Sequence, residues 1–153
     1  MSTVKNLLGS RTLLTNSALN SLGSATYVSA GTITLASSNK TPVEMFIEVT
    51  VTPGTVSSNK QVVVFIKKSL DGTNFTTGPE SGTTTTDEPD LTFLGTVPCN
   101  TNSTSQTQIF ALSGACGGAL PYAVKIIVKN ETGASLSSSG GNVYYQAVDG
   151  DIT

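Results

Sequence analysis

The sequence predicts an all-β chain: a single antiparallel β-sandwich or jelly-roll-like domain of about eight strands, preceded by an extended N-terminal arm. Val43, Met45, Ile47, Val49 and Val51 alternate with more polar neighbours, and so do Tyr122, Val124, Ile126 and Val128, which is the two-residue period of strands with one face in a core. The run Val62, Val63, Val64, Phe65, Ile66 is apolar at odd and even positions alike, so a strand there has both faces covered and belongs at the centre of a sheet. Gly, Pro, Asn and Ser clusters separate the runs, and no helical period appears anywhere.

The elements follow in order. Residues 1–24 are rich in Ser, Thr and Asn, and Leu7, Leu8, Leu13, Leu14, Leu19 and Leu22 are spaced too irregularly for an amphipathic helix. They read as an arm that is ordered only when the domain or a neighbouring subunit holds it. Residues 25–153 are the sandwich. Its first strand covers 25–35 and bends at Ala30-Gly31; its second covers 43–51, with Phe46 interrupting the polar face. After Pro53-Gly54 and Ser57-Ser58-Asn59 comes the doubly apolar strand at 62–66. Asp71-Gly72 then turns the chain into a short segment at 73–77, and a Gly/Pro/Thr loop at 76–90 leads to a strand at 91–97. Strands at 104–112, 122–129 and 143–148 complete the series, with turns at 130–133 and 137–141. The second face of 62–66 has two candidate covers: the N-terminal segment or a second subunit, and the opposite sheet together with the loop 76–90.

At 153 residues the chain is one domain by length. It carries 19 Ser and 24 Thr but only 12% charged residues, so its solubility rests on hydroxyls and amides. A net charge of −2 with eight scattered Lys and Arg offers no cationic stripe for a phosphate backbone, which excludes nucleic acid as the expected partner. No apolar run reaches the roughly 18 residues of a membrane span. Asn6, Ser10, Arg11 and Asn16 interrupt any secretory apolar core, so folding in the cytoplasm is expected, with Cys99 and Cys116 as free thiols. If oxidised, they would close a loop worth about 3 kcal/mol.

Histidine is absent, which removes imidazole-based nucleophile systems and zinc sites that need imidazole. No phosphate-cradling glycine motif occurs. Glu80, Asp87, Glu88 and Asp90 cluster in the loop, and two carboxylates suitably apart can hydrolyse glycosides. Such pairs normally sit in an aromatic-walled cleft, whereas this chain has no Trp and nine Phe and Tyr together, so a solvated loop is the expectation. Calcium held by Asp87, Glu88, Asp90, Asp149 or Asp151 is a weaker alternative without EF-hand spacing. The N-x-S/T triplets at Asn39, Asn74, Asn102 and Asn130 are of the number chance supplies. No catalytic residue and no cofactor are expected.

The segments SLDGTNF (69–75), GPESGTTTTDEPDL (78–91), LGTVPCNTNST (94–104), GGALPYAVKIIVKNETGASL (117–136) and VYYQAV (143–148) carry a resemblance. In that order, over about residues 22–149, the chain resembles a family of small virion structural proteins of tailed bacteriophages. The resemblance implies no enzyme and no cofactor. The expected role is a capsid decoration or cement protein, a homotrimer that bridges capsomers of the major capsid protein. The expected contacts lie at Leu7, Leu8, Leu13, Leu14, Leu19 and Leu22 of the arm and at Glu80, Asp87, Glu88 and Asp90 of the loop. Two other expectations stand beside it: a tail- or fibre-associated module whose loops meet a host glycan, and a glycan-cleaving enzyme using the loop carboxylates.

Overall fold

The computed structural model describes residues 4–38 and 40–152; residues 1–3 of the expected arm and the triplet at Asn39 lie outside the described residues. The strands are β1 (Val4–Leu8), β2 (Thr12–Thr15), β3 (Thr26–Thr34), β4 (Glu44–Pro53), β5 (Gln61–Ser69), β6 (Ser81–Gly82), β7 (Thr92–Pro98), β8 (Gln106–Ala111), β9 (Ala123–Asn130) and β10 (Leu136–Ile152). A single helical turn, α1 (Leu112–Ala115), follows β8.

The described strands form two antiparallel sheets, and the all-β sandwich expected from the sequence is what they build. In the first sheet β8, β4 and β10 lie side by side, and β1 and β2 run in tandem along the far side of β10. The second sheet has the order β6-β3-β9-β5-β7. The alternation of β4 does what its period demands: Met45, Ile47, Val49 and Val51 are buried while Glu44, Phe46, Glu48 and Thr50 are half-buried on the outer face. They meet Ile33, Val62, Val64, Ile66, Val124, Ile126 and Val128 of the second sheet in one core. Phe110 of β8 also reaches across to β7, where Gly95 leaves room for its ring and a Cβ would collide with it.

The doubly apolar β5 lies inside the second sheet, between β9 and β7. One face joins the main core; the other, with Val63 and Phe65, joins Tyr27, Leu91 and Ile127 in a second cluster on the outside of that sheet. The loop between β5 and β7 lies over this cluster and gives β5 its second cover. Of the two candidate covers, the chain uses its own loop.

The count of about eight strands is low because β1, β2 and β6 have too little apolar pattern to read. The predicted segment at 73–77 is not a strand; it makes one bridge, Ser69 to Phe75. Its shape comes from Asp71, whose carboxylate accepts the N–H groups of Thr73 and Asn74 and closes a tight turn. The predicted turn at 137–141 is instead an irregular stretch within β10, which shifts register between Leu136 and Gly141. Serines and glycines there resemble a turn, but the glycines serve close approach. Gly141 has φ +143° and lies against the main chain of Thr50, where a Cβ would collide.

Candidate functional site

The outer face of the second sheet carries three lysines. Lys67 and Lys125 are direct cross-strand neighbours on β5 and β9, a like-charge pairing that is unfavourable unless an anion joins it. Glu80 is that anion: one carboxylate binds Lys67 at 2.6 Å and Lys125 at 2.8 Å. Burial works against ionising Glu80, but the hydrogen bonds from Lys125 and Lys67 outweigh it and hold the carboxyl below its ordinary range. Two rows along, past Phe65 and Ile127, Lys129 lies between Glu88 at 2.5 Å and Glu131 at 2.9 Å, above the ring of Tyr27, whose hydroxyl donates to Glu88. Burial opposes the charge on Lys129, yet Glu88 and Glu131 prevail and raise its pKa. Glu80 and Glu88 therefore act as the two buckles of a strap that closes the loop over Tyr27, Phe65 and Leu91.

The other two loop carboxylates are exposed. Asp90 accepts the hydroxyl of Thr77 at 2.7 Å, and Asp87 precedes the 3-10 turn Glu88–Asp90. Among the described residues no three His, Cys, Asp or Glu side chains gather as a metal site. The side chain of Asp151 lies outside the described residues. Glu80 and Glu88 face lysines of their own sheet.

The N-terminal leucines divide. Leu19 and Leu22 are buried in the main core, at 0% and 7% exposure, and cannot reach another molecule. Leu14 is half-buried, with its side chain over Gly31 of β3. Leu7, Leu8 and Leu13 are exposed. β1 pairs with residues 148–152 of β10, but β4 pairs with β10 only as far as Val148. Beyond that point the two strands run on as a two-stranded ribbon; Leu7 within it, Leu8 at its base opposite Val148, and the adjacent Val43 are open to solvent.

The outer face of the first sheet holds a hollow of about 270 Å³ lined by Arg11, Phe46, Glu48, Ile109, Tyr144 and Gln146. The sequence singled out only Phe46 here. Register brings Leu13, Tyr144, Glu48 and Ile109 into one row across four strands. Arg11 binds Glu48 through two nitrogens and lies 3.3 Å from the centre of the Tyr144 ring. Arg11 therefore covers one face of the Tyr144 ring.

Both thiols are free. Cys99 is buried in the core, and burial pushes its thiol up to about 11, so it stays protonated and inert at neutral pH. No protein-family model matches this chain, and no curated protein matches it.

Proposed function

We propose that this chain is a structural component of a tailed-phage particle, a decoration or cement protein that sits on the outer shell and bridges capsomers without catalysing a reaction. The observation that carries the reading is the ribbon of β1 and the end of β10. An isolated two-stranded ribbon is marginal in water, and this one bears exposed Leu7, with exposed Leu8 at its base and Val43 beside it. Such an element gains stability when a neighbouring protein lies against it. The segments resembling phage virion proteins point to the same class of role. So does the strap, because Glu80 and Glu88 hold the protein's own loop rather than a substrate.

In the particle, ribbon contacts would add buried apolar area and backbone hydrogen bonds across capsomer boundaries, so that the shell resists the pressure of packaged DNA. The test is to replace Leu7→Asp and Leu8→Asp together and measure binding of the purified protein to shells lacking it. The expected result is binding weaker by about tenfold or more, equivalent to about 1.4 kcal/mol, with the heat resistance of the particles falling in step. Unchanged occupancy and unchanged heat resistance would overturn the reading.

A further inference from the structure

The sandwich has four lateral edges, and three are blunted against pairing with another chain. The β1/β2 edge breaks between Leu8 and Thr12, carries Lys5 and Arg11, and lies beside a register shift in β10. The β3 edge is bent by a bulge at Ser29/Gly31 and partly capped by β6. The β7 edge contains Gly95, ends at Pro98 and is out of register with β5 at one point. β8 has none of these devices. Its six residues QTQIFA pair with β4 in unbroken register, include no charge, proline or glycine, and leave Ile109 61% exposed.

We propose that β8 is a self-pairing edge. Two copies of the chain join β8 to β8 antiparallel across a twofold axis, with Ile109 opposite Ile109, and their first sheets become one continuous sheet.

The register follows from symmetry. A twofold axis perpendicular to the sheet brings outer face to outer face, so each residue must meet one of its own parity. Centring on Ile109 sets Gln108 against Phe110 and Thr107 against Ala111, and it buries the two exposed isoleucines on each other. Centring on Gln108 would leave each Ile109 opposite Thr107.

A second copy fits this edge better than an unlike protein because the flank is neutral. Residues 91–124, which supply β7, β8 and α1, are 34 consecutive residues without Asp, Glu, Lys or Arg. Charge depletion marks the centre of an interface, and a neutral strand meets no like charge in its own copy. The nearest charge in the Ile109 row is Glu48, which Arg11 neutralises. This inference does not rest on the virion reading, puts a twofold dimer in place of the homotrimer expected there, and is tested on the purified protein alone.

Sedimentation velocity of the full chain over a wide concentration range should show a monomer–dimer equilibrium. Ile109→Lys, at an exposed position that leaves the fold intact by circular dichroism, should weaken the dimer by about tenfold or more, since two ammonium groups would face each other. With Cys116→Ser as background, Ile109→Cys should form an interchain disulfide under oxidising conditions, whereas Thr107→Cys, which faces Ala111 of the other copy, should not. A chain that stays monomeric, a trimer, a dimer unaffected by I109K, or cross-linking of T107C as efficient as that of I109C would each overturn the proposal.

Discussion

Asn130 donates its side-chain amide to the main-chain carbonyl of Leu22, 108 positions earlier in the chain, at 2.8 Å. The same amide also donates to Ala134 O at 2.7 Å, and its Oδ1 accepts both the N–H and the hydroxyl of Thr132. Asn130 is fully buried, so this one side chain fastens the N-terminal segment to the turn between β9 and β10. Ser21 and Leu22 extend the joint through main-chain bonds to Ser137 and Leu136.

Removing that clasp takes one of two donors from each of the carbonyls of Leu22 and Ala134, which keep Leu136 N–H and the Thr132 hydroxyl, and leaves the buried N–H of Thr132 without its acceptor. Asn130→Ala is expected to destabilise the protein by about 2 to 4 kcal/mol, read from urea unfolding. Leu22→Ala, which empties the adjoining core position, should lose about 3 kcal/mol. If N130A unfolded at the same urea midpoint as the parent, the N-terminal segment would not be fastened in this way.

The strap makes stability depend on pH at both extremes. Glu80 and Glu131 titrate below their ordinary 4.5 in the folded protein, so their contribution is complete above that pH and is lost as pH falls through the lower folded values. Lys129 titrates above its ordinary 10.5, so its contribution is complete below that pH and is lost as pH rises through the raised folded value. A flat melting temperature between those limits, with a fall on either side, is the expected profile. Glu80→Gln should destabilise by about 1 to 2 kcal/mol at neutral pH and flatten the acid limb. The figure is held below that of a sealed ion pair because the Glu80 side chain is 37% exposed. An acid limb unchanged in E80Q would show that Glu80 does not buckle the strap.

Gly141 is expected to tolerate no side chain. Gly141→Ala forces a Cβ against the main chain of Thr50 at a φ that L-residues avoid, and a loss of about 2 kcal/mol or more should appear as a lower thermal midpoint. A neutral outcome would mean that β10 is not held against β4 at this point.

These residues also mark what the sequence discloses. The period-two runs of β4 and β9 and the doubly apolar β5 could be read directly, because burial on one face or on both writes itself into every second position or into every position. Nothing in the letters favours the loop over the N-terminal segment as cover for β5. Glu80 meets Lys125 across 45 positions, and only register brings Lys67 and Lys125 together to receive it. The tandem β1 and β2 were hidden for a similar reason: they hold to β10 through main-chain pairing, which any polar sequence can supply. The glycines of β10 resemble a turn, since close approach and tight turning call for the same residue. The row Leu13, Tyr144, Glu48 and Ile109 draws on four separate strands, so no single stretch announces it.

Whether this chain is a shell-bound building block is decided by counting its copies in purified phage particles on a quantified gel, against the major capsid protein. A decoration protein is expected at hundreds of copies per particle. A dozen copies or fewer, or none, would contradict the account.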